Sequence, residues 1–227
     1  MNLDRSIKLI GKDNVNKLKN SKVLIVGLGG VGGMALEMLI RSGIENLIII
    51  DYDDFEESNI NRQLLCTQKN IGKHKTDEAK LRAKSINPLC NVKKYNVKLD
   101  KDFLCNNKLV ADYIIDACDD IKAKMELIKY AINNNVKIIS CMGTGNKLDP
   151  SMLKITNIWK TSYDPLAKKL RQCLRKENIT DKIPVVTSEE RPLVKNIKEI
   201  PSLVLVPNAA GILLASYVIN DIIKTCK

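Results

Sequence analysis

The sequence predicts an α/β fold, an open, doubly wound, mostly parallel sheet with added antiparallel strands and a C-terminal helix in its second half. Three observations predict it. Short, β-branched apolar runs alternate with helical periodicity from residue 22 to residue 141. The first run ends in a glycine-rich turn, Gly27-Leu28-Gly29-Gly30-Val31-Gly32, and two later runs end on aspartates, Asp51 and Asp116. A strand, helix and strand within about 30 residues form a βαβ unit, whose strands are parallel.

Residues 1–21 are polar with one apolar beat at Ile7, Leu9 and Ile10, and read as a short N-terminal helix or arm. Residues 22–27 (KVLIVG) read as a buried strand closed by a glycine. Val31, Ala35, Met38 and Leu39 then recur at helical spacing until Ser42-Gly43 stops them. Residues 47–51 (LIIID) repeat the strand signature, and residues 73–86 read as a helix ended by Asn87-Pro88. Residues 91–97 and 112–116 are strands, Ile121, Met125, Ile128 and Ile132 mark a helix, and residues 136–140 (VKIIS) are another strand. This is a Rossmann-like order.

After residue 141 the rhythm changes. MGTGNKLDP is turn-rich, and residues 152–158 (MLKITNI) read as an antiparallel strand. Asp164-Pro165 offers an N-cap and a first-turn proline for a helix with Leu166, Leu170 and Leu174 on one face. Residues 177–202 are polar with several prolines and read as a mobile excursion, whereas residues 209–223 are apolar all round and read as a buried helix. The organisation expected is one domain, residues 1–227, with an arm at 1–21, a nucleotide-binding half at 22–141 and a second half at 142–227.

A chain of 227 residues buries a full core unaided. Its 37 Lys and Arg against 26 Asp and Glu give a formal net charge of +11, which points to a polyanionic partner such as RNA or DNA. Aromatics, at 4%, are too few for the stacking platform of a single-strand binder. The longest apolar stretch, near residues 204–219, is broken by Pro207, Asn208 and Ser216 and falls short of the roughly 20 residues of a membrane span. With no basic-then-apolar N-terminus, the reading is a soluble, cytoplasmic protein without a membrane association. The seven cysteines form no C-x-x-C pair, so neither a disulfide framework nor zinc is expected, and most read as small core residues.

The glycine turn joins the first strand to the first helix, where unpaired N–H groups and the helix dipole favour a phosphate. Asp51 lies 19 residues after Gly32 at a strand tip, where a carboxylate holds ribose hydroxyls. This pair suits a nicotinamide dehydrogenase as well as an ATP user. Asp53, then Asn59, Asn61, Arg62 and Gln63, then Lys75 follow the second strand. Adenylate transfer calls for cations on a polyphosphate and a bridging metal. Arg62 brings a planar fork and Lys75 a point charge. Asp119, three residues beyond Asp116, falls where a Mg²⁺ ligand is wanted. A solvated basic loop accounts for Arg62 and Lys75 equally well on composition alone.

Taken together, GxGGxG, a strand-end Asp, N-x-N-R-Q, G-x-x-K and D-x-x-D resemble the ThiF/MoeB/HesA group of ATP-dependent carboxylate-adenylating enzymes, relatives of the ubiquitin-activating enzymes. The resemblance implies Gly29 and Gly30 at the phosphates, Asp51 at the ribose, Asn59, Arg62 and Lys75 on the polyphosphate, and Asp119 on Mg²⁺. Gly27, Gly32, Asp53, Asn61 and Gln63 are further ATP-binding residues it implies. Arg5 matches an arginine that family dimers supply to the neighbouring subunit, so a homodimer is implied.

The second half resembles the tRNA threonylcarbamoyladenosine dehydratase branch, in GTGNKLDP (143–150), KTSYDPLAKKLR (160–171), Ser188-Glu189, Arg191-Pro192-Leu193 and VPNAAG (206–211). Met142 departs from that pattern, standing where a small residue is usual. The activity implied is ATP-dependent cyclisation of N6-threonylcarbamoyladenosine through a carboxyl-adenylate, with a cysteine desulfurase or sulfur-acceptor system as a further partner. Two rivals stay open, an adenylyltransferase for the C-terminus of a small ubiquitin-like sulfur-carrier protein and a non-adenylating nicotinamide-binding module. Residues 154–182 carry eight basic and three acidic residues, and Lys160, Lys168, Lys169, Arg171 and Arg175 are expected to contact tRNA. A solvated amphipathic helix explains the same pattern. Trp159 reads as a base-stacking or a core side chain, and His74, between two lysines, as a solvated loop residue.

Overall fold

The computed structural model describes residues 1–195 and 198–224. Seven strands, Lys22–Val26 (β1), Asn46–Asp51 (β2), Asn91–Asn96 (β3), Tyr113–Asp116 (β4), Lys137–Cys141 (β5), Leu153–Asn157 (β6) and Pro184–Ser188 (β7), form one sheet in the order β3-β2-β1-β4-β5-β7-β6. All neighbours pair in parallel except β6 with β7. Among the described residues eight α-helices wind around it: Asp4–Ile10 (α1), Lys12–Asn20 (α2), Gly30–Arg41 (α3), Lys75–Ile86 (α4), Lys101–Asn106 (α5), Ile121–Asn134 (α6), Pro165–Lys176 (α7) and Leu205–Lys224 (α8).

Period-two alternation explains why both faces are covered. Val23, Ile25, Leu47 and Ile49 point into a core shared with Leu36 and Leu39 of α3 and Leu214 and Val218 of α8. Leu24, Val26, Ile48 and Ile50 point the other way, onto Leu104 of α5 and Leu127 of α6. A third cluster packs Leu170 and Leu174 of α7 on Met125 and Ile128 of α6 and Val185 of β7. Met142 is buried in this cluster, which is where the departure from a small residue goes.

Strand order reverses between β1 and β4. In open α/β sheets that reversal opens a crevice at the carboxyl ends of the strands, and here it is flanked by the glycine turn after β1 and the 117–120 segment after β4.

Several expectations are corrected. The excursion at 177–202 contains β7, a strand with Val185 and Val186 fully buried between β5 and β6. Among the described residues the antiparallel pairing is that of β6 with β7, while β7 also pairs in parallel with β5. The N-terminal segment is two helices, broken at Gly11, where φ is +82°. The short helix α5 had no apolar stripe long enough to announce it; Asp100 caps it by accepting the Phe103 N–H. Helix α8 begins at Leu205, ahead of the expected 209, because Pro207 falls in its first turn, where no N–H is needed. At 20 residues it is long and apolar enough, by length and composition, to cross a bilayer, contrary to expectation. Half of it is buried, with Ala210, Leu214 and Val218 packed in the core, so the length serves packing.

Candidate active site

A cavity of about 620 Å³ opens at the strand-order reversal, walled by the turn after β1, the segment after β2, the segment after β4 and residues 141–145 after β5. Gly27 adopts φ +87°, a left-handed conformation, and a side chain there would meet the Ala117 carbonyl at 2.8 Å. A Cβ on Gly32 would lie 1.7 Å from the Gly27 oxygen, so the turn can close only on glycine. Gly29 caps α3 without any side-chain bond, and space stands in front of it, with only Gln63 Nε2 within 4 Å. The first N–H groups of α3 therefore face the cavity, a ready anion site. Gly30 lies beneath the Arg62 carbonyl. Gly32 closes the turn and does not line the cavity.

Asp51 ends β2 at 8% exposure, and its carboxylate accepts the Leu28 N–H at 2.5 Å and the Asp53 N–H at 2.9 Å. Burial raises its pKa above the ordinary carboxylate value, opposed by the Lys75 ammonium and by those two N–H groups. Lys75 opens α4 at only 5% exposure, and its Nζ reaches Asp53 Oδ2 at 2.8 Å. Arg62 lines the cavity with its guanidinium on the Ser58 carbonyl at 2.7 Å. Asn59 is buried in a 3₁₀ turn at Glu57–Asn59, and Glu56 and Asn59 bond each other's backbone N–H groups reciprocally. Gln63 lines the cavity with Oε1 buried and unpartnered. Such an acceptor is costly unless a ligand or water donates to it. Asp119 is exposed on the cavity wall, left there because Asp120 instead caps α6, accepting the Lys122 N–H at 2.7 Å.

Not every expected residue converges. Asn61 does not line the cavity; its amide donates to the Ser202 carbonyl at 3.0 Å, tying down the segment before α8. Arg5 lies exposed on α1 and is absent from this cavity's wall. Lys160, Lys168, Lys169 and Arg175 are exposed, but Arg171 is half-buried, with its guanidinium held by the Thr161 hydroxyl and carbonyl. Arg175 stands over the Trp159 ring, 5.5 Å from its centroid, and Trp159 Nε1 donates to the Asp181 carbonyl, so the indole is engaged within the fold. His74 is half exposed and bonded to Asp54.

The structure adds groups the sequence did not announce. Asp164 does more than cap α7: one carboxylate oxygen accepts the Ala167 N–H at 2.9 Å and the other the Gly143 N–H at 2.8 Å, fixing the 143–145 turn to the basic helix. Ile200 packs on Gly145, where a Cβ would come within 2.5 Å of it, and Pro201 accepts the Asn146 N–H, so the segment before α8 borders the cavity mouth. Behind the wall, Lys124 and Asp116 form a fully buried ion pair at 3.0 Å. The Asp164-Pro165 signal was legible as a cap; nothing in the α6 periodicity marked Lys124 as internal.

The ThiF family profile matches residues 3–225. The tRNA threonylcarbamoyladenosine dehydratase of Bacillus subtilis is 37% identical over 235 residues, covering 95% of this chain and 92% of that protein. The Haemophilus influenzae protein of the same name is 38% identical over 174 residues, 75% of this chain and 66% of its own length. Among solved structures, the Escherichia coli tRNA N6-threonylcarbamoyladenosine dehydratase in complex with ATP superposes with a TM-score of 0.90 at 29% identity, covering 96% of this chain and 92% of that one.

Proposed function

The chain belongs to the ThiF family, and from that premise we propose that it is an ATP-dependent enzyme that dehydrates N6-threonylcarbamoyladenosine in tRNA through a carboxyl-adenylate. One observation carries the reading: a single cavity joins the α3 N-terminus, Arg62, Lys75 and Asp119 to the 143–145 turn, and Asp164 links that turn to a basic helix. The likeness to dehydratases over almost the whole chain supports the substrate.

In this reading the N–H groups of α3 beyond Gly29, with Arg62 and Lys75, hold the polyphosphate. Asp51 accepts the ribose hydroxyls on lone pairs its two N–H donors leave free, and Gln63 Oε1 gains a donor from the nucleotide. Asp119 suits Mg²⁺, a hard cation that takes one or two carboxylates together with phosphate oxygens. Mg²⁺ supplies neutralisation of the charge that develops on the polyphosphate.

The threonyl carboxylate attacks the α-phosphorus of ATP, forming the acyl-adenylate and releasing pyrophosphate. That carboxylate, with a pKa near 4, is already ionised at pH 7, so no general base is needed. The neighbouring carbamoyl group then attacks the activated acyl carbon, AMP leaves and the ring closes, with one water lost overall. Ring closure is intramolecular and gains from effective molarity. No cysteine nucleophile is therefore required.

Lys160, Lys168, Lys169 and Arg175 contact tRNA phosphates; Arg171 supports Thr161 instead. The enzyme acts in the cytoplasm as a homodimer in which Arg5 of one subunit completes its neighbour's site. ATP–pyrophosphate exchange tests the reading. Exchange that depends on threonylcarbamoyladenosine-bearing tRNA supports it, whereas exchange dependent on a sulfur-carrier protein, or none with either, overturns it.

A further inference from the structure

Lys124 is the one lysine on α6 that is fully buried, and the reaction described above makes no use of it. Its ammonium makes three contacts. It lies 3.0 Å from Asp116 Oδ2, donates to the Cys141 carbonyl at 2.8 Å and meets Ser140 Oγ at 3.3 Å, while the Ser140 hydroxyl itself bonds Asp116 Oδ2. The other Asp116 oxygen accepts the Cys118 N–H at 3.3 Å and the Cys118 thiol at 3.0 Å. An isolated ion in this position would be expensive, and even a paired one gives little net stability over an apolar pair of the same volume. Stability alone is thus a weak reason for the charge to be there.

Geometry supplies a better one. Asp116 is the last residue of β4, and through Cys118 it sets the backbone that carries Asp119. Cys141 is the last residue of β5, and its carbonyl precedes the Met142-Gly143-Thr144-Gly145 turn on the other side of the cavity. Three bonds from one ammonium therefore reach the roots of both walls. A methionine in its place has no donor with which to bridge a carboxylate and a carbonyl.

We propose that Lys124 is a positioning residue that holds the 117–120 and 141–145 segments in one register, so that the metal-bearing and substrate-bearing walls of the cavity are set together. The role assigned to those walls rests on the proposed function, but the coupling itself does not, and the test separates the two.

The test uses the Asp116→Asn/Lys124→Met double variant, which removes both charges and leaves no buried ion unpaired, and Lys124→Arg, which keeps the cation but moves its donors. Amide hydrogen exchange is followed in the protein without ligand. The double variant is expected to lose about tenfold or more protection at 118–119 and at 142–145 together, while amides of β1 and β2 keep theirs. Calorimetry with a non-hydrolysable ATP analogue is then run across Mg²⁺ concentrations. The Mg²⁺ needed for half-maximal nucleotide binding is expected to rise at least tenfold in the double variant and less in Lys124→Arg. Protection lost at only one wall, or unchanged at both, overturns the proposal. So does failure of both variants to fold, which would make Lys124 a residue of the core alone. If exchange protection falls at both walls but nucleotide binding in the wild type does not respond to Mg²⁺, the coupling stands and the metal assignment of Asp119 falls.

Discussion

Replacing Lys75 by methionine removes one ammonium from the cavity and keeps most of the side chain's volume. The fold should hardly notice. Asp53, its partner at 2.8 Å, has a side chain 45% exposed, so the carboxylate left behind stays hydrated, and a pair with one exposed member contributes no more than about 1 kcal/mol. The nucleotide should notice strongly. A unit charge about 4 Å from a phosphate oxygen at an effective dielectric near 20 is worth about 4 kcal/mol, and deleting one such preorganised group typically costs ~10²–10³-fold in rate. A second consequence concerns pH. Burial holds the Asp51 carboxyl above its ordinary pKa, and Lys75 is the first group opposing that rise. A carboxyl whose pKa is raised by folding favours the fold while protonated, and this contribution is lost as pH climbs through the folded value. Without Lys75 that value climbs further. Nucleotide binding, which uses ionised Asp51, should therefore weaken on acidification starting from a higher pH than in the wild type. The assays are pyrophosphate exchange and titration with ATP from pH 4 to pH 8. Exchange within threefold of wild type, with an unshifted acid limb, would refute the placement of Lys75 on the polyphosphate.

Three further outcomes are expected. Asp119→Asn, at an exposed position, should leave the thermal midpoint unchanged and lower exchange at least a hundredfold at any Mg²⁺ concentration; near wild-type exchange would remove Asp119 from the metal. Mixing Arg5→Ala subunits with Lys75→Ala subunits should restore about a quarter of wild-type activity, because half the dimers are mixed and each mixed dimer keeps one intact site; an inactive mixture with heterodimers demonstrated would rule out a shared site. Replacing Lys160, Lys168 and Lys169 with glutamine should weaken tRNA binding and flatten its log–log salt slope by roughly 0.7–0.9 per lost phosphate contact, with the KM for ATP unmoved. An unchanged slope would take the basic helix out of the tRNA surface.

Four strands of the first half were legible because they are short β-branched runs buried for most of their length, which leaves little room for another reading. β1, β2, β4 and β5 fall within a residue of their expected bounds, and the glycine turn sits where a βαβ unit requires it. β7 was hidden because Pro184-Val185-Val186-Thr187-Ser188 is a short apolar core inside a polar, proline-bearing stretch; only its place between β5 and β6 makes it a strand. On α6 the apolar series Ile121, Met125, Ile128 and Ile132 pointed to one stripe, yet Ile132 is 41% exposed and Lys124 is wholly buried. A helix-face pattern records which residues are apolar, and it cannot register a lysine whose charge is matched by an aspartate on a neighbouring strand. The same limit explains Asn61 and Arg171. Their residue types suit phosphate, but their partners, Ser202 and Thr161, come from segments whose proximity only the tertiary fold creates.

The central claim is the reaction itself, and the mass of the modified nucleoside tests it most directly. The purified protein is incubated with threonylcarbamoyladenosine-bearing tRNA and Mg²⁺-ATP, the tRNA is digested to nucleosides under mild conditions, and AMP and pyrophosphate are counted alongside. The account predicts a nucleoside lighter by one water, with one AMP and one pyrophosphate released for each ring closed. An unchanged nucleoside, whether ATP is left intact or is consumed only when a carrier protein is supplied, would contradict it.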